Sequence, residues 1–178
     1  MKFRLLKADE IDVRVATINE KGCSLLLYKD ARCDMNILDE TVGADNWQRR
    51  HYDCKGNLFC SVGIMTCEEW IWKDDCGAES YTEKEKGEAS DSFKRACVNW
   101  GIGRELYTAP FIWVPAAKVD IKKDTKTNKL KTYDTFFIEK IAYDESGKIK
   151  GLCISKNVKN GKERVFIWQK ESAAKEPA

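Results

Sequence analysis

The chain has 178 residues, 43% hydrophobic and 34% charged, with a net charge of only +2. That length suits one sizeable domain with room for an extension, and the near-zero net charge excludes a global basic field, so any phosphate binding has to come from local clusters. No apolar run approaches the ~18 residues that a membrane-crossing helix needs, and MKFRLLKADE lacks a signal-peptide core, so a cytoplasmic protein with no membrane partner is expected.

In chain order, Ile11, Val15 and Ile18 stand at helical spacing and predict an N-terminal helix over 8–18 with a docking role. SLLLY (24–28) is a short apolar strand. Asp30 is placed as an N-cap, Met35, Leu38 and Val42 as the apolar stripe of a following helix, and Gly43 as its stop. From Trp47 the period changes to two. WQRRHYDC, a turn at Lys55-Gly56-Asn57, LFCSVGIM, a second turn and WIWKDDC predict three antiparallel strands in a meander. Leu58, Cys60, Val62 and Ile64 share one face. Trp70 and Trp72 share a face opposite Ile71 and Lys73.

The meander leads into KGEASDSFKRACVNWG, where Phe93, Ala96, Cys97 and Trp100 form a helical stripe suited to the sheet's apolar face. Thr82 and Glu85 offer a capping box, and Gly101 a helix stop. Lys94 lies at the edge of the stripe and Arg95 away from it, with Asp91 one turn earlier able to hold the guanidinium. Such a pair reads either as a solvated face or as a surface aimed at phosphates. Beyond APFIWVP come a lysine-rich loop over 122–132, two strands flanking DESGK, and ERVFIWQ as a last strand. The fold class expected is α+β, a β-β-β-α core with an N-terminal helix and C-terminal strands. The expected division is 1–115, a β-rich extension over 116–169, and a disordered tail over 170–178.

There is no P-loop, and GIGREL follows a helix and departs from GxGxxG at Leu106. The eight cysteines show no CxxC spacing and read as reduced, buried small hydrophobes, and with His51 as the sole histidine no zinc site is expected. The same scarcity argues against a nucleophilic triad. Glu68-Glu69 and Asp74-Asp75 leave a metal-dependent nuclease as an alternative. What remains is cations interleaved with aromatics. Arg49 and Arg50 lie on a strand with Trp47, His51 and Tyr52, Lys55 is at a hairpin tip, and Lys94 and Arg95 are on the helix, a combination suited to single-stranded nucleic acid.

Taken jointly, LLLYKDARCDMNILDETVGADNWQRRHY, the aromatic-rich strands and KGEASDSFKRACVNWGIGRELY resemble the Rad-fifty-two superfamily of single-strand annealing proteins, nearest to its phage and prophage Sak-type branch, over residues 20–115. The resemblance implies a DNA-binding, non-enzymatic homo-oligomer, a ring or helical array, in bacteria or phage-infected cells. It would anneal complementary single strands in recombination and repair without ATP or cofactor, with a single-strand DNA-binding protein as a candidate partner. It maps the family's helical Lys-Arg pair onto Lys94 and Arg95. It also places a further family arginine at Val98, where this chain has none, with Arg49 or Arg50 as substitutes. Lys29, Arg32 and Lys55 are weaker DNA-binding candidates. An end-protecting binder of the same fold is the second alternative.

Overall fold

The structure, a computed structural model, describes residues 1–78, 84–125 and 127–170. Thr82, and with it the expected capping box to Glu85, lies outside these residues, as does the tail from 171. Lys170 is described, and its N–H donates to the Lys150 carbonyl. The chain is α+β, and its sheets are antiparallel. The elements are β1 (Asp12–Asn19), β2 (Gly22–Tyr28), α1 (Ala31–Val42), β3 (Trp47–Cys54), β4 (Asn57–Thr66), β5 (Glu69–Cys76), α2 (Lys84–Trp100), β6 (Ile112–Pro115), β7 (Ile121–Lys123), β8 (Leu130–Thr132), β9 (Phe136–Tyr143), β10 (Ile149–Val158) and β11 (Gly161–Gln169). Among the described residues no helix is long and apolar enough to cross a membrane.

Two compact units interleave along the chain: Met1–Leu6 with Lys29–Arg104, and Lys7–Tyr28 with the residues from Glu105 onward. This division runs differently from the linear one expected at 115 and 169. The reason lies in the larger sheet of the second unit, whose order is β11-β10-β9-β1-β2-β6. Strands from both ends of the sequence share it, and its core includes Cys23, Leu25, Val114, Ile138 and Ile154.

The N-terminal helix expected over 8–18 is replaced by a single 3-10 turn, Ala8–Glu10, and by β1. The helical spacing has a specific cause. Pairing with β2 runs Val15↔Leu25 and then Thr17↔Ser24, so Ala16 is a β-bulge. A bulge inserts one residue into an alternating strand. Val13 and Val15 alternate inward, and the extra residue moves the next inward position to Ile18. Ile11, just before β1, and the inward Val15 and Ile18 thereby imitate one helix face. The lysine-rich segment also holds more structure than a loop. β7 and β8 pair there, and Lys131 bonds the Asp124 carboxylate.

In the first unit β3, β4 and β5 form a separate three-stranded sheet. Lys55 and Gly56 both have positive φ (56° and 76°), the two-residue turn that matches strand twist. Asp30 caps α1, accepting from the Arg32 N–H at 2.7 Å, and Gly43 ends it at φ 86°. The face that α1 buries is Cys33, Asp34, Ile37 and Leu38; of the expected stripe Leu38 is buried, while Met35 and Val42 are half-buried. The discrepancy comes from Asp34, which periodicity assigns to solvent. Its carboxylate is fully buried in an ion pair with Lys29, itself only 4% exposed.

Candidate nucleic-acid interface

Helix α2 carries the site, so its own placement comes first. Phe93, Ala96 and Cys97 are fully buried, opposite the buried Cys60, Val62 and Ile64 of β4. Trp100 donates from Nε1 to the Val62 carbonyl at 3.0 Å. At Gly77, which follows β5, a Cβ would sit 2.3 Å from the Glu88 carbonyl oxygen, so glycine permits the helix backbone to touch the sheet. The helix ends in a Schellman arrangement: Gly101 N–H donates to Val98 O, Ile102 N–H to Cys97 O, and Gly101 has φ 104°.

Register assigns each strand side chain to a face. Arg49, Val62 and Lys73 are directly paired, as are His51, Cys60 and Asp75, and these face α2. Arg50, Ser61 and Asp74 oppose one another on the other face. The adjacent arginines of β3 therefore serve different surfaces. Arg49 stands 4.7 Å over the Phe93 ring and Arg50 4.1 Å over the Trp72 ring.

Lys94 and Arg95 also part company. Arg95 Nε donates to Asp75 Oδ1 at 3.2 Å. The expected partner Asp91 instead accepts from the Ala78 N–H, although its charge helps, after Asp75, to offset the effect of burial and hold the guanidinium's pKa above normal. Lys94 acts toward α1. Its charge helps lower the pKa of Asp30, where the Arg32 side-chain bond contributes most.

Two cations that sequence reading passed over join Arg95. Lys73 Nζ donates to the Asn99 carbonyl at 2.9 Å and lies 4.4 Å from the Trp100 ring. Arg104 reaches back over the helix end, donating to Val98 O at 2.9 Å and to the same Asn99 O at 3.2 Å. Lys73 and Arg104 thus converge on one oxygen, and Arg95 is one turn before it. Asn99 completes the edge, donating to Asp74 O at 2.9 Å. The helix C-terminus carries negative potential worth about half a charge, which holds the cations there and leaves the row with net positive charge. Arg95, Lys73 and Arg104 form a row with one paired carboxylate, Asp75. A lysine on the helix-covered face of β5 and an arginine just past a helix stop were the available signals for the two that were missed.

The other candidates are dispersed. Lys29 is buried, and its ammonium is consumed by Asp34. Burial raises the Asp34 pKa to about 6 against the opposing charge of Lys29. Arg32 is exposed and paired with Asp30 at 2.8 Å. Lys55 projects at the β3–β4 tip. His51 Nε2 contacts the Ala89 carbonyl at 3.1 Å. The acids weighed for a nuclease do not converge, because Asp74 and Asp75 alternate onto opposite faces and Glu68 sits in a turn at φ 68°.

No known protein family, characterised protein or solved structure matches this chain.

Proposed function

We propose that this protein binds single-stranded DNA and anneals complementary strands without ATP, a non-enzymatic member of the single-strand annealing class that residues 20–115 resemble. The observation that carries the reading is the Arg95–Lys73–Arg104 row, three cations pinned along one edge of α2. In this reading β3, β4, β5 and α2 are the β-β-β-α unit, and Arg104 supplies the charge that Val98 lacks. Annealing makes and breaks no covalent bond. It requires that phosphate repulsion between two strands be reduced while bases stay available, and fixed cations on a near-neutral chain meet that need.

A row on one subunit is short. Both β3 and β5 are edges of the three-stranded sheet. Joining β3 of one copy to β5 of the next would extend the sheet and align successive rows, a head-to-tail contact that generates a ring or a helix. The N-terminal docking helix has no part in this assembly, since β1 occupies that segment.

The test mixes purified protein with complementary labelled oligonucleotides, with and without magnesium and ATP. Duplex formation independent of both is the expected result. Retarded but unpaired strands would replace the reading with end protection, and strands shortened only with magnesium would replace it with a nuclease. In Lys73→Ala/Arg95→Ala/Arg104→Ala, affinity should fall, and the slope of log K against log salt should drop by roughly 0.7 for each lost phosphate contact. An unchanged slope in the folded variant removes the row from the site.

A further inference from the structure

The face of the β3–β4–β5 sheet turned away from α2 carries an arrangement that the cationic row does not use. Trp72 lies across Gly63, where a Cβ would stand 2.8 Å from the indole, so the ring rests against bare backbone. The Arg50 guanidinium stands over this ring, and Trp70 is 6.0 Å beside it. Further along the face Tyr52 and Phe59 stack at 5.6 Å, and Tyr52 is 39% exposed. Among these rings sits the Asp74 carboxylate. The Ser61 hydroxyl is bonded to one of its oxygens, and the Tyr52 hydroxyl donates to the other at 3.0 Å.

The chemistry selects the occupant. The fully buried core of a protein–protein contact is depleted in aspartate, whereas here a fixed carboxylate, Asp74, stands at the centre of the aromatic face. Flat π surfaces with a cation suit planar rings. Each carboxylate oxygen accepts more than one hydrogen bond, so Asp74 retains acceptor sites for amino hydrogens at a ring edge. The same carboxylate repels phosphate. A ligand that is planar, edged with amino groups and carries its anionic part at a distance is a nucleobase on a single strand.

We infer that this face is a base-stacking platform, with Arg50, Trp70 and Tyr52 as its planar surfaces, Trp72 as the support beneath Arg50, and Asp74 as its acceptor. The inference rests on the single-strand reading above and adds a surface of opposite polarity. The α2 row takes the backbone, and the platform takes bases.

The experiment compares binding of oligo(dC) with that of an abasic oligonucleotide of equal length and phosphate number, read by quenching of tryptophan fluorescence and by anisotropy. The wild-type chain should bind oligo(dC) at least about tenfold more tightly, as stacking of one base implies. Trp70→Leu with Arg50→Gln should remove most of that difference and leave abasic affinity nearly unchanged. Tyr52→Ser, at an exposed position, provides a second variant should the first fail to fold, and should reduce the same difference. Equal wild-type affinity for both oligonucleotides overturns the platform while leaving the annealing reading intact. Equal weakening of both in the variants also overturns it, because it makes these residues phosphate contacts. Failure of the wild type to bind either removes both readings.

Discussion

Lys29 and Asp34 show how little a residue's type says about its use. Lys29 stood among the candidate phosphate ligands because it is a cation near a helix start. In the fold its side chain passes over Gly103, whose φ of 71° already favours glycine and where a Cβ would lie 2.2 Å from Lys29 Cε. Removing one partner of a buried ion pair costs about 3–5 kcal/mol, because the other charge is left uncompensated. Lys29→Met should lose about that much at pH 7.5 in urea unfolding. Burial raises the folded-state pKa of Asp34 above its unfolded value, so the carboxyl favours the native state when protonated. That contribution is full below roughly pH 3.9 and is lost as pH rises through about 6. Without Lys29 the folded pKa should rise further, so the variant's deficit should shrink markedly at pH 5. An equal deficit at both pH values would mean that Asp34 is not the group left stranded.

At the scale of elements, legibility followed the regularity of the backbone. The alternation in LFCSVGIM assigned both faces of β4 correctly, and Asp30, Gly43 and Gly101 marked helix ends, because caps and left-handed stops are local chemistry. The bulge at Ala16 defeated the same kind of reading, since one inserted residue changes the apparent period. Within the candidate site, the exposed place of Arg95 on α2 was legible from the helical stripe. Lys73 and Arg104 were not, because their shared target is a main-chain carbonyl that no side-chain pattern reveals. The glycines of the first unit separate two effects. Gly101→Ala meets open space and only backbone strain, about 1–2 kcal/mol. Gly77→Ala drives a methyl into the backbone of α2, an overpacking cost of about 1–3 kcal/mol that lifts the helix from β5. Near-UV circular dichroism should separate them, with the Trp100 environment changed in Gly77→Ala and retained in Gly101→Ala. Matching spectra would contradict the close approach at Gly77.

For the whole molecule, the linear division at 115 follows the extent of the family resemblance, whereas the compact units follow strand pairing. Every strand of the larger sheet comes from 12–28 or from 112–169, so a chain ending at 115 would retain β1, β2 and β6 without β9, β10 and β11. The inward faces of Cys23, Leu25 and Val114 would lose the strands that complete their core. The first unit is different, because its meander and both helices lie on the continuous segment Lys29–Arg104. That segment should therefore fold alone and unfold cooperatively in urea. It would lack Leu6, which is 2% exposed in the intact chain, and the Arg4–Glu40 ion pair. Burying a leucine side chain is worth about 1.5–3 kcal/mol and an exposed pair at most about 1 kcal/mol, so the fragment should be weaker than the same unit in the full chain by roughly the leucine term. It should also retain the Arg95–Lys73–Arg104 row and hence salt-dependent binding of single strands. A fragment of 1–115 should instead expose apolar strand faces and aggregate on size-exclusion chromatography. A soluble, cooperative 1–115 fragment together with an unfolded 29–104 fragment would show that the chain divides where the resemblance ends and not where its strands pair.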